Sequence, residues 1–85
     1  MSHARDVIEA IARALADRPA AVRVTEAEHR GVTVVELFMA PGELGRVIGR
    51  QGRVAAAMRT LASAAAELEG KKATVEFRDG PSAER

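Results

Sequence analysis

The stretch GRVIGRQGRV, Gly45 to Val54, sets three arginines and three glycines among apolar residues and one glutamine, with no acid. Guanidinium groups bind phosphate and carboxylate through a planar fork of donors. Glycine admits left-handed backbone and clears side chains from the path of an approaching ligand. Gly49 and Gly52, three apart, therefore read as a turn between two helices, with the unpaired N–H groups of the second helix pointing outward at its positive end. Arg50 and Arg53 stand where acidic residues would stabilise a helix start by a few tenths to about 1 kcal/mol, a conflict that a bound phosphate resolves. Taken alone, G-x-x-G also fits a tight helix-helix turn in which glycine serves packing only.

Other chemistry finds little support. Gly42, Gly45, Gly49 and Gly52 are not followed by G-K-[ST] and contain no G-x-G-x-x-G, so neither nucleotide motif is present. His3 and His29 lack the spacing of a metal site or a catalytic triad. The chain has no cysteine, which excludes disulfides, thiolate zinc sites and a thiol nucleophile. Glu26 and Glu28 share a strand face and read as a solvated edge. With no Trp or Tyr, and Phe38 and Phe77 both on strands expected to pack, there is no aromatic platform for stacking bases. We expect no catalytic residue, no cofactor and no metal.

The charge is local. The chain is +1 overall, yet Leu44 to Ala66 carries four arginines (Arg46, Arg50, Arg53, Arg59) and no acid, leaving a negative remainder. A basic zone on a nearly neutral protein suggests a site for an anion. At 85 residues the chain is one small domain that needs a two-layer packing. No apolar run is long enough to span a membrane and the charged N-terminal segment does not read as a secretory signal, so a cytoplasmic protein is expected.

The periodicities supply the elements that position the loop. Asp6 to Arg18 predicts a helix presenting Val7, Ile8, Ile11, Ala14 and Leu15, stopped by Pro19. Ala21 to Glu28 predicts a half-buried strand, EHRG a hairpin turn, and Val32 to Met39 a central strand. A short helix over Glu43 to Ile48 leads into the glycines. Arg53 to Glu69 predicts a helix with Val54, Ala57, Met58, Leu61, Ala65 and Leu68 on one face, capped by Gly70. Ala73 to Phe77 predicts a last strand with Ala73, Val75 and Phe77 inward. The fold class is α+β, ordered α-β-β-α-α-β, with three helices on one face of a three-stranded sheet. One domain occupies residues 1–85, with its core over 6–78 and a polar tail over 79–85.

The stretch GELGRVIGRQGRVAAAMRTLASAAAELEGKKATVEF resembles the KH domain, and in particular the small single-domain bacterial KH proteins of the KhpA type. The resemblance covers nearly the whole chain, and the element order matches the type II KH arrangement. It implies a non-catalytic protein whose G-x-x-G loop, here Gly49, Arg50, Gln51 and Gly52, clamps the backbone of single-stranded RNA. Arg46 and Arg53 would flank the phosphate path, while Ile48 and Val54 would support the loop and lend an apolar wall. Arg59 fits a solvated position as well as an RNA contact, and Lys71 and Lys72 fit a polar turn as well as a second basic edge. Roles in RNA metabolism as a chaperone or post-transcriptional regulator, homodimers, and pairing with a KhpB-type KH protein are further implications of the resemblance. The rival reading is a KH-shaped protein-interaction module. For self-association, the sheet face bearing Val32, Val34 and Phe38 is one candidate surface, and the helix face bearing Ala55, Ala56 and Ala64 is the other.

Overall fold

The computed structural model describes residues 2–79. Its elements are α1 (His3–Leu15), β1 (Arg23–His29), β2 (Val32–Met39), α2 (Leu44–Ile48), α3 (Arg53–Leu68) and β3 (Lys72–Asp79), with 3₁₀ turns at Pro19–Ala21 and Arg50–Gly52. The sheet order is β1-β2-β3, antiparallel between β1 and β2 and parallel between β2 and β3. The run of apolar residues at Val32 to Met39 takes the central place, as expected of a strand with neighbours on both edges.

Thr33, Val35, Leu37 and Met39 of β2 point into the helix layer. Val24 joins them from β1, and Ala73, Val75 and Phe77 from β3. Ile8 of α1, Val47 of α2 and Met58 of α3 meet this face, so all three helices share one core on one side of the sheet. The shortest extent of the molecule, 18 Å, fits one sheet and one helix layer.

The elements match the sequence expectation in order and type, and depart from it at their ends. Helix α1 starts and ends three residues earlier than its apolar pattern suggests. Ser2 caps its start, accepting the Arg5 N–H through its hydroxyl at 3.1 Å. Ala16 is already extended, and Pro19 opens a separate 3₁₀ turn. Strand β1 is shifted towards its C-terminal end, because Arg30 and Gly31, both with positive φ, form a two-residue hairpin turn that keeps Glu28 and His29 in the ladder. Strand β3 runs on to Asp79, and the remainder of the expected tail lies outside the described residues.

The buried faces of the helices also differ from the expectation. In α1 the buried line is Ala4, Ile8 and Ala12, with Ile11 packed beside it, while Ala14 and Leu15 are exposed. In α3 it is Ala55, Met58, Ala62, Ala65 and Ala66, while Leu61 is 50% and Leu68 is 84% exposed. The physical reason is the α1–α3 contact. Alanine on both helices lets their backbones approach closely, which bulkier leucines would prevent.

Candidate nucleic-acid interface

Helix α2 is one turn and a half long, and it is anchored by Val47, which is fully buried. Gly49 ends it with φ 74° and ψ 178°, a region open in practice only to glycine, and its N–H donates to Gly45 O at 2.9 Å. A Cβ at Gly49 would stand 2.5 Å from Cγ2 of Val54. The close approach of Gly49 to Val54 is thus what folds the loop back onto α3. Gln51, at φ 57° and ψ 24°, and Gly52, at φ 72° and ψ 16°, are both left-handed, and the Gly52 N–H closes the turn on Gly49 O at 3.2 Å. Arg50 and Gln51 are exposed at the tip.

Helix α3 starts directly after Gly52 with Arg53 and has no side-chain cap and no acid in its first turn. The partial positive charge of that helix end is therefore left uncompensated by the chain's own side chains. Arg53 adds to it, with its guanidinium held by a neutral partner: Nη2 donates to Gln51 Oε1 at 2.8 Å. Ile48 and Val54 are half-buried under the loop, with Val54 packed against the core. Arg46 is exposed on α2, where its Nη2 lies 2.7 Å from Asp17 Oδ2. The eight residues expected at the site thus lie on one continuous α2–turn–α3 unit, and Arg46 differs from Arg50 and Arg53 in having a carboxylate partner among the described residues.

A family model for the KH domain of KhpA and KhpB matches residues 5–77, which include this whole unit. The chain belongs to the KhpA/KhpB KH-domain family. It is similar to RNA-binding protein KhpA of Aquifex aeolicus, with 45% identity over 77 residues that cover 91% of this chain and 98% of the relative. RNA-binding protein KhpA of Caldanaerobacter subterraneus subsp. tengcongensis is 46% identical over 72 residues, 85% of this chain and 96% of its own. That of Treponema pallidum is 42% identical over 74 residues, 87% and 92% respectively.

A groove runs along α3 from Arg59 and opens towards the edge strand β3. It comprises a hollow of about 400 Å³ lined by Arg59, Thr60, Ser63, Ala64 and Glu67, and one of about 320 Å³ that shares Ser63 and Glu67 and reaches Lys71 and Lys72. Arg59 lies across the strand, its Nε donating to Val75 O at 3.4 Å and its guanidinium 4.9 Å from the centre of the Phe77 ring. Arg59 makes both contacts while remaining exposed. Its neighbours are 16 and 18 residues away in the chain, so helical periodicity carries no trace of the contact. Among the described residues no group of three or more His, Cys, Asp or Glu could hold a metal ion, and no helix is long and apolar enough to cross a membrane.

Proposed function

We propose that this protein binds single-stranded RNA non-catalytically, clamping the phosphate backbone at the GRQG loop. The observation that carries the reading is the uncapped, acid-free start of α3 beside the exposed side chains of Arg50 and Arg53. The exposed side chains of Arg50 and Arg53 flank the start of α3, at a turn where Gly49 has no room for a side chain. Phosphate suits such a cradle, because it accepts several hydrogen bonds and brings the charge the helix end lacks. The relatives named RNA-binding proteins support RNA as the source of that phosphate. Arg59, stacked on Phe77 at the mouth of the α3–β3 groove, is well placed to meet the bases of a strand whose backbone the loop holds, and Lys71 and Lys72 give the far end of that groove a second positive edge. Base edges would then be read after the backbone is positioned. We place this activity in the cytoplasm, in RNA chaperoning or post-transcriptional control.

The test is Arg50→Asp combined with Gln51→Asp. Both side chains project from the turn, so the core is untouched, and two carboxylates replace the phosphate-attracting tip. RNA affinity is expected to fall by at least about tenfold, with the thermal midpoint close to that of the parent. Undiminished RNA binding by the folded double variant would eliminate the GRQG loop as the clamp, and a parent that binds no RNA would favour a KH-shaped protein-interaction module.

Self-association belongs to the same proposal, and the outer side of α3 is the surface we favour for it. On the open sheet face Phe38 is 4% exposed and Val32 and Val34 are half-buried, amid Arg78 paired with Glu36 and Glu76. On α3, Ala55 is buried and Ala56 and Ala64 are exposed, and Ala57, Leu61, Ala64 and Leu68 form an apolar stripe on the outer side. We assign homodimer formation, or pairing with a KhpB-type KH protein, to this stripe.

A further inference from the structure

Asp17 lies in the connection between α1 and β1, and its Oδ2 accepts from Arg46 Nη2 at 2.7 Å. Both side chains are more than half exposed, at 64% and 52%, so the contact is not part of the core. The backbone that carries Asp17 is nevertheless fixed. Glu43, at the start of α2 and buried, makes no side-chain cap on its own helix. Its Oε1 instead accepts the N–H groups of Asp17 at 2.9 Å and Arg18 at 3.3 Å. One acid thus fastens Asp17 and Arg18 to α2. The second acid, carried on that fastened segment, reaches the arginine three residues before Gly49. Exposed ion pairs are weak largely because two long side chains must be ordered to make them. Here one side is short and its backbone already ordered, so that cost is reduced.

Building on the RNA-clamp reading, we propose that Asp17 is an internal competitor for phosphate, holding Arg46 in the free protein and lowering both the affinity and the salt dependence of the GRQG site. The carboxylate cancels the field of Arg46 beyond its immediate surroundings, and an incoming strand meets Arg50 and Arg53 as the two effective charges. From about −0.7 per phosphate on a single strand, log Kobs then falls against log salt with a slope near about −1.4, where three free arginines would give about −2.1. Asp17 sets the strength of the clamp without being needed to form it. Its side chain can be neutralised without loss of the Glu43 anchor, which uses only the Asp17 main-chain N–H.

The experiment measures binding of a short unstructured RNA of mixed sequence across a salt series for the parent, Asp17→Asn, Arg46→Gln and the double variant, with thermal unfolding alongside. Asp17→Asn is expected to raise affinity about two- to fivefold at low salt and to steepen the slope by about 0.7. Arg46→Gln should cost more affinity in the Asp17→Asn background than in the parent, because only there is the arginine fully available. Asp17→Ser, too short to reach Arg46, should give the same gain. A parent that binds RNA while Asp17→Asn and Asp17→Ser leave affinity and slope unchanged, or weaken binding, overturns the competitor and leaves the clamp standing. A parent that binds no RNA overturns both.

Discussion

Gly49 combines a backbone region closed to other residues with a Val54 methyl group standing where its Cβ would go, while Gly52 faces open space in a left-handed conformation that asparagine also adopts. Substitution should separate these two requirements. Gly49→Ala is expected to cost about 2–4 kcal/mol, from the strained φ/ψ and from the displacement of Val54. Gly52→Asn is expected to stay within about 1 kcal/mol of the parent. Urea unfolding of both variants checks this, and equal losses would mean that neither the backbone region nor Val54 sets Gly49 apart from Gly52. The sequence makes the G-x-x-G turn and its arginines legible because glycine and unpaired charge are local signals. It hides Asp17 and Glu43, 29 and 26 residues from the groups they hold, because nothing in a sequence pattern reports which acid a surface arginine has found.

Element order was readable along the chain because each strand and helix carries its own period, and element ends were less so because capping decides them. Helix α1 shows the difference. Its apolar residues begin at Val7, yet the helix begins at His3, where the Ser2 hydroxyl caps it and also donates to Glu26 Oε1 on β1 at 2.7 Å. On α3, Met58 and Ala65 are buried as their spacing predicts and Leu61 and Leu68 are not, for a related reason. Hydrophobic weight points to Leu61 and Leu68, whereas close packing on α1 selects alanine, and periodicity alone cannot rank a small residue above a large one. The Ser2–Glu26 contact has a pH consequence. The hydrogen bond from the Ser2 hydroxyl is the main cause holding the Glu26 carboxyl below its ordinary value, with partial burial opposing it. A carboxylate whose folded value is depressed contributes stability above its unfolded value and loses it as the pH falls through the folded value. Removing the contact should therefore cost stability at neutral pH and matter less in acid. Ser2→Ala is expected to lose about 1 kcal/mol near pH 7, mostly from the cap. Its stability deficit against the parent should narrow as the pH is lowered below the carboxylate range, because the Glu26 contribution is by then absent from both. Urea midpoints of the two proteins measured over an acid-to-neutral series check this, and a constant deficit would assign the whole effect to the cap.

At the scale of the molecule, a two-layer domain leaves one sheet face and the outer side of its helices to solvent, and the composition of those two surfaces differs here. The open sheet face interleaves Val32, Val34 and Ala27 with Arg23, Glu36, Lys72, Glu76 and Arg78. Covering it would desolvate the Arg78 ion pairs, a cost that their mutual attraction does not reliably repay. The outer side of α3 carries Leu61 and Leu68 a little under two turns apart, with Ala57 and Ala64 between and before them and no charge in that row. Leucines exposed to 50% and 84% on a helix whose buried face is mostly alanine are the larger unsatisfied apolar surface. Two copies meeting along this stripe would bury it with the same residues on both sides, as a two-fold interface requires. The GRQG loop precedes α3 rather than lying on its outer row, so each copy would keep its own clamp and one RNA could engage two of them, with the gain that linkage gives weak sites. Leu61→Glu is therefore expected to convert a dimer to a monomer at micromolar concentration in sedimentation velocity, and Leu68→Glu to weaken the dimer. Val34→Glu on the open sheet face should leave the sedimentation coefficient unchanged. Because Leu61 is half exposed in the single chain, the glutamate variant should still fold, and its circular dichroism should match the parent. Affinity for one short RNA should then stay near the parental value in Leu61→Glu, while affinity for an RNA long enough to span two loops should fall. A Leu61→Glu variant that remains dimeric, or a monomerised Val34→Glu, would return the interface to the sheet.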